Sequence, residues 1–201
     1  MVDKKEVMAL LKANFKTTGQ VTIDPEGLIT CQGNVILKRQ LPQFPVRFKS
    51  VLGHFQCDYN QLTTLDGAPE SVGGSFLGSS NQLISLKAAP KNVVGSFVCF
   101  NNQLTSLEGA PSSVGDLFSC HLNPLTSLQG MPSELNYLAI PYTPTLPLLR
   151  CLAAKSISLR SAMNHTTVET ILNKYAGQGK RAMFDCQKEL EDAGFEDNAR
   201  W

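Results

Sequence analysis

One phrase occurs four times in this sequence at a fixed offset, and any fold must respect that offset. Phe55, Phe76, Phe97 and Phe118 lie 21 residues apart. Five places after each comes Asn60, Asn81, Asn102 or Asn123, and two places after that Leu62, Leu83, Leu104 or Leu125. Leu65, Leu86, Leu107 and Leu128 follow, then Pro69, Pro90, Pro111 and Pro132. A unit this small cannot bury its own apolar face, so units must stack and share a core. Within a unit, Phe97 and Cys99 alternate with Val98 and Phe100, which predicts a short strand with one face buried and one free. The Asn comes where the chain leaves the strand, and its amide can satisfy backbone groups otherwise buried unpaired. Stacked units therefore predict an asparagine ladder. The Gly-Ala-Pro and Ser-Ser-Val-Gly stretches are expected to return the chain along the far side.

The flanks read differently. Residues 3–16 predict a helix, with Asp3 as N-cap, Glu6 as its capping-box partner, and Val7, Leu10, Leu11 and Phe15 on one face. Thr18-Gly19 ends it. From Val21 to Leu37 the pattern suggests a hairpin turning at Asp24-Pro25-Glu26-Gly27, and Leu41-Pro42-Gln43-Phe44 is a degenerate first repeat. After Pro132 the phrase decays: Leu135, Tyr137, Leu138 and Ile140 allow one last irregular strand, and the solenoid is expected to stop there. Pro141, Pro144 and Pro147 mark a break. A short helix over Leu146–Ala154 and an extended Ser156–Leu159 follow. Thr166-x-x-Glu169 then opens a helix with Val168, Ile171, Leu172 and Tyr175 on one face. Gly177-Gln178-Gly179 turns into a second helix striped by Met183, Cys186, Leu190 and Ala193, with Phe195 and Trp201 packing back. The chain thus divides into an N-terminal helix and hairpin cap (1–29), a solenoid (30–140) and a C-terminal helical module (141–201).

The repeat phrase resembles the leucine-rich repeat family, whose pattern L-x-x-L-x-L-x-x-N-x-L recurs every 20 to about 29 residues. The resemblance implies an α/β repeat fold: a leucine-rich-repeat solenoid with a concave parallel β-sheet, capped by the N-terminal helix and hairpin and by the C-terminal α-helical module. Asn101-Asn102-Gln103-Leu104-Thr105-Ser106-Leu107-Glu108-Gly109-Ala110-Pro111 and Ser71-Val72-Gly73-Gly74-Ser75-Phe76 are similar to the small leucine-rich repeat proteins encoded by tailed bacteriophages and some bacteria. That likeness implies a phage protein acting on a host machine such as a defence complex.

Composition narrows the function. A net charge of +1 argues against a dedicated nucleic-acid binder, which carries a basic domain or stripe. No run approaches the ~18 apolar residues of a membrane span, and no signal peptide is evident, so a bacterial or phage-infected host cytoplasm is the expected compartment and no membrane partner is expected. The six cysteines form no C-x-x-C pair. Cys57, Cys99 and Cys120 share one inward repeat position, where a free thiol serves as a small hydrophobe. Gly177-Gln178-Gly179-Lys180 lacks the earlier Gly and the following Ser or Thr of a phosphate loop, and reads as an interhelical turn. Of the three histidines, His54 and His121 stand three repeats apart, ~14 Å at the strand spacing, too far to share one substrate atom. No catalytic residue, metal or cofactor is expected. Ubiquitin ligases with such repeats carry a large helical catalytic domain, for which the segment after residue 140 is too short.

The free face of the sheet is the better candidate. Its outward positions read His54, Gln56, Asp58 and Tyr59; Ser75, Leu77, Ser79 and Ser80; Ser96, Val98, Phe100 and Asn101; Leu117, Ser119, His121 and Leu122. Apolar side chains rimmed by polar ones mark a protein contact. Gln56, Asp58, Tyr59, Leu77, Ser79, Val98, Phe100, Asn101, Ser119 and His121 are therefore the expected partner-binding residues, the partner being a bacterial host protein. The alternative is a structural or virion-associated protein that self-assembles through its repeats. The other reading of the face is that a terminal module folds over it.

Overall fold

The computed structural model describes residues 2–161 and 165–201; Met1 and residues 162–164 lie outside the described residues. Helix α1 (Lys4–Asn14) opens on Asp3, whose carboxylate accepts from the Lys5 N–H at 2.8 Å. It ends earlier than expected, because Phe15 turns extended and enters the core as the start of strand β1 (Phe15–Thr17), while Leu10 stays exposed. β2 (Val21–Ile23) and β3 (Leu28–Cys31) form the expected hairpin, its turn held by Asp24 accepting from the N–H groups of Glu26 and Leu28. The hairpin stops at Cys31. At Gly33 the chain passes so close to Thr18 that a Cβ would meet its carbonyl oxygen at 2.3 Å, and β4 (Val35–Leu37) departs to pair with β1 instead.

The chain then winds in turns, each touching two sheets. β5 (Arg47–Val51) leads to β6 (Phe55–Gln56), β7 (Ser71–Val72) to β8 (Phe76–Leu77), β9 (Asn92–Val93) to β10 (Phe97–Val98), and β11 (Ser113–Val114) to β12 (Leu117–Ser119). β13 (Leu135–Pro141), a 3-10 turn at Leu149–Ala153 and β14 (Ala154–Arg160) follow, and α2 (Thr166–Tyr175) and α3 (Lys180–Asp192) close the fold. The described strands make an eight-stranded sheet, ordered β1-β4-β6-β8-β10-β12-β13-β14, and a six-stranded sheet, ordered β11-β9-β7-β5-β3-β2. Pairing from β4 through β14 in the first, and from β3 through β11 in the second, is parallel. The molecule is a parallel-sheet solenoid with an N-terminal helix and C-terminal helices. The Ser-Val-Gly stretches, expected only to return the chain, form the second sheet.

Columns of identical residues fill the interior. Phe55, Phe76, Phe97 and Phe118 stack with centroids 5.6, 5.0 and 5.5 Å apart, offset by the strand spacing into a favourable ring geometry. Val51, Val72, Val93 and Val114 line the second sheet, and the two Leu columns are fully buried between them. The Asn ladder binds turn to turn. Asn102 accepts from the Leu83 N–H at 3.0 Å and donates to the Gly78 carbonyl of the preceding turn and to Cys99 and Phe100 of its own. Asn81 and Asn123 repeat the pattern.

The solenoid does not stop at Ile140. One residue fewer separates Leu135 from Leu138 than Val114 from Phe118, so the corner between the two sheets straightens. β13 then runs seven residues through both positions, and β14 lies against it in the same register. The outer edge of β14 is closed by α2. The Asn173 amide accepts from the Ile157 N–H at 2.8 Å and donates to its carbonyl at 2.7 Å, while Glu169 accepts from the Leu159 N–H at 2.6 Å. Glu169, expected at the head of its own helix, serves the sheet instead. In α3 the buried stripe is Ala182, Cys186 and Leu190, with Ala193 exposed. Phe195 packs on the core, whereas Trp201 is exposed, with the Arg150 guanidinium 5.4 Å from its ring.

Replacing Asn102 by Ala strands one N–H and several carbonyls in the core. The expected loss is about 3 kcal/mol, read as a lower urea midpoint with unchanged slope. Gly67, Gly109 and Gly130 adopt φ of 95°, 86° and 87°, and Ala88 holds the same place at 64°. Ala88→Gly is expected to leave stability unchanged or raise it by less than ~1 kcal/mol, measured in the same titration.

Candidate interaction face

Because side chains alternate along a strand, the register of the eight-stranded sheet fixes what its outer face presents. Ile36, Gln56, Leu77, Val98, Ser119, Ala139 and Ser158 form one row across it. A second row runs through Leu117, Tyr137 and Ser156. Gln56, Leu77, Val98 and Phe100 are half-buried by their neighbours. α1 packs on β1, α2 on β14 and the 3-10 turn, and α3 on α2 and the 3-10 turn. The helices thus sit at the ends of the stack, and Tyr59, Leu122 and Tyr137 stay 72%, 60% and 55% exposed along the face.

Several polar groups of the face join one turn to the next. The His54 Nδ1 accepts from the Ser75 N–H at 3.0 Å, and the Ser75 hydroxyl accepts from Ser96 N–H at 3.1 Å. The Ser96 hydroxyl donates to the Asp116 carboxylate at 3.0 Å. Asp58 accepts from the Ser79 N–H at 2.9 Å, and burial pushes its carboxyl above the usual range despite that bond. Ser79 and Ser119 are only 1% and 2% exposed, so they belong to the floor of the face. The Asn101 amide donates to the Ser80 hydroxyl at 3.1 Å.

Tyr59, Ser80, Asn101 and Leu122 occupy one repeat position with φ of 55°, 54°, 55° and 54°. This left-handed conformation suits Asn and strains a bulky residue. Each side chain there leaves the line of the strand, so Tyr59 and Leu122 stand at the rim.

Toward the C-terminal end the face sinks into a hollow of about 590 Å³. Its floor is Ser119 and Ala139 with Ser158, small where earlier turns carry Leu77 and Val98, and Tyr137 and Arg160 stand at its sides. The His121 ring stacks on Phe100 at 4.6 Å, with its Nδ1 2.9 Å from the Ser119 hydroxyl. Burial, and secondarily the Arg160 charge, lower the His121 pKa. Cys120 faces the other way into the core, where burial raises the thiols of Cys57, Cys99 and Cys120 well above their ordinary value.

Sequence reading brings Gln56, Asp58, Tyr59, Leu77, Ser79, Val98, Phe100, Asn101, Ser119 and His121 to this one surface, where the structure also puts them. It misses Tyr137, Ser158 and Arg160, because the period fails after Pro132. The spacing shared by Leu135-x-x-Leu138 and Ala154-x-x-Ile157 was the available signal. No family model, no curated protein and no solved structure matches this chain. Among the described residues, no helix is long and apolar enough to cross a membrane.

A carboxyl with a higher pKa folded than unfolded costs stability above its folded value, and that cost vanishes below the unfolded value of ~3.9. Asp58→Asn keeps an acceptor for the Ser79 N–H and removes the charge. Its thermal midpoint is expected to exceed that of the native protein at pH 7, with the two converging below pH ~3.9, as scanning calorimetry at both pH values would record.

Proposed function

We propose that this protein is a non-catalytic binding module whose outer sheet face docks another protein. The observation that carries the reading is the pair Tyr59 and Leu122: large apolar side chains, well exposed, held at strained left-handed positions. Folding gains nothing from either feature, and strain concentrates where a surface is used. The half-buried apolar row through Leu77 and Val98 supports the same reading, since a contiguous apolar patch with a polar rim suits a protein contact.

The finer reading assigns the repeats to the leucine-rich class and the protein to a tailed phage, acting in the infected bacterial cytoplasm on a host protein such as a defence complex. The Asn-x-Leu-x-x-Leu phrase and its ladder support the class, and the likeness of that phrase to small phage proteins supports the setting. Self-assembly is the other reading. Closure of the β14 edge by Asn173 and Glu169 speaks against end-to-end stacking there.

The double variant Val98→Glu, Phe100→Ala is expected to lose at least tenfold in capture of the partner from bacterial lysate, whereas Ile84→Glu, at another exposed position, retains it. Equal capture by all three proteins would remove the face from consideration. Mass that grows with concentration, with no partner retained, would favour self-assembly.

A further inference from the structure

The hollow at the C-terminal end of the face has a chemistry of its own. Its lining holds one cation, Arg160, and one acid, Asp116. Asp116 is engaged by the Ser96 hydroxyl, and no acidic side chain among the described residues pairs with Arg160. The two charges are well separated. Leu117 and Ser156 share a register position, and Arg160 lies four residues further along β14, roughly 13 Å at the usual rise per strand residue. His121 lines the same hollow as Arg160 and lies within reach of its charge, with its ring stacked on Phe100 and its Nδ1 at Ser119, which leaves Nε2 as the ring nitrogen open to a ligand. The row two residues before them along the strands is Ser119, Ala139 and Ser158, and these small side chains open the floor of the hollow that Arg160 and His121 line.

We propose that this hollow recognises a carboxylate, an acidic side chain carried by the docked protein, with Arg160 and His121 as its ligands and Ser158 as a further donor. The proposal rests on the face being the docking surface. A guanidinium pairs a carboxylate through two parallel hydrogen bonds, and a neutral imidazole supplies one donor more. A phosphate dianion fits worse, because the single cation of the hollow leaves its second charge uncompensated. The hollow continues into the row through Val98 and Leu77, so a partner segment runs on in that direction. The carboxylate therefore comes from a side chain, and a chain end is the less suitable source.

A bound carboxylate also reverses the field on His121. Arg160 disfavours the imidazolium in the free protein, and an anion between the two favours it. Asp116, Arg160 and Tyr137 are the ionisable groups that share the hollow with His121. Binding should accordingly tighten as pH falls toward the His121 titration.

The test uses the full chain, isotope-labelled, titrated with N-acetylglutamate amide while the Arg160 Nε–H, the Ala139 and Ser158 amides and the His121 ring are followed by NMR. Saturable shifts confined to these groups are expected, with a rise in the His121 pKa at saturation. N-acetylglutamine amide should produce at least tenfold weaker shifts, and Arg160→Gln should abolish them, with Arg160→Lys between. Equal response to the glutamine compound, tighter binding of inorganic phosphate, or an undiminished response in Arg160→Gln would each overturn the proposal. An acetylated peptide ending in a free Ala carboxylate that binds more tightly than the glutamate compound would overturn the side-chain source. Lysate capture separates this proposal from the one beneath it. Loss with Val98→Glu but not with Arg160→Gln sinks only the carboxylate, whereas indifference to both sinks the face as well.

Discussion

The asparagine ladder is the interaction on which the other features depend. Strands of two residues supply few backbone bonds, and a turn this tight leaves its own carbonyls and the next N–H facing the core. Asn81, Asn102 and Asn123 answer each shortage with one amide, accepting from the Leu N–H of the turn before and donating to carbonyls on both turns. An unpaired buried group costs about 1–3 kcal/mol, so the ladder sets the spacing of the turns. Every other column, of Phe, Val and Leu, inherits its register from that constraint.

Where the ladder ends, the chain satisfies its backbone by other means. β13 and β14 have no Asn between them and instead pair over their length, Leu135 with Ala154 through to Pro141 with Arg160. Long strands replace side-chain amides. The final edge is met by a helix, whose Asn173 gives Ile157 both the acceptor and the donor that a neighbouring strand would have supplied. At the other end Asn60 keeps its donor contacts to Cys57 and Asp58, but its buried Oδ1 has no protein partner. That acceptor marks the place where the first turn departs from the repeat, and buried groups of this kind are commonly met by water.

How much was legible in the sequence follows from the same physics. Identical residues at a fixed interval reveal the core, the ladder and the outward set of the middle turns, because one structural solution repeats. The second sheet was hidden, since Ser71-Val72 and its copies are strands of two residues and read locally as turns. The last strands were hidden by the single residue lost between Leu135 and Leu138, which straightens a corner and shifts the phase of all that follows. Arg160 and the small floor of the hollow lie beyond that slip. Side chains at the margins escaped as well: Trp201 and Leu10 are apolar, yet nothing in their spacing says that they face solvent.

The face and the fold make opposite demands at one repeat position. The backbone before each ladder Asn turns left-handed, a geometry that costs a side chain with a Cβ roughly 1–2 kcal/mol and Asn less. Asn101 answers the demand of the backbone, and Ser80 joins it through a hydrogen bond. Tyr59 and Leu122 answer neither demand of folding, since they bear the strain without burial. They are also the first and last members of the column, three turns apart, with Leu77, Val98 and Phe100 between them on the sheet. Those two residues bound at either end a face whose apolar members Leu77, Val98 and Phe100 are half-buried by their neighbours. The polar groups of the same face, His54, Asp58 and Ser75, tie each turn to the next, so the stack draws on this face through them and not through Tyr59 and Leu122.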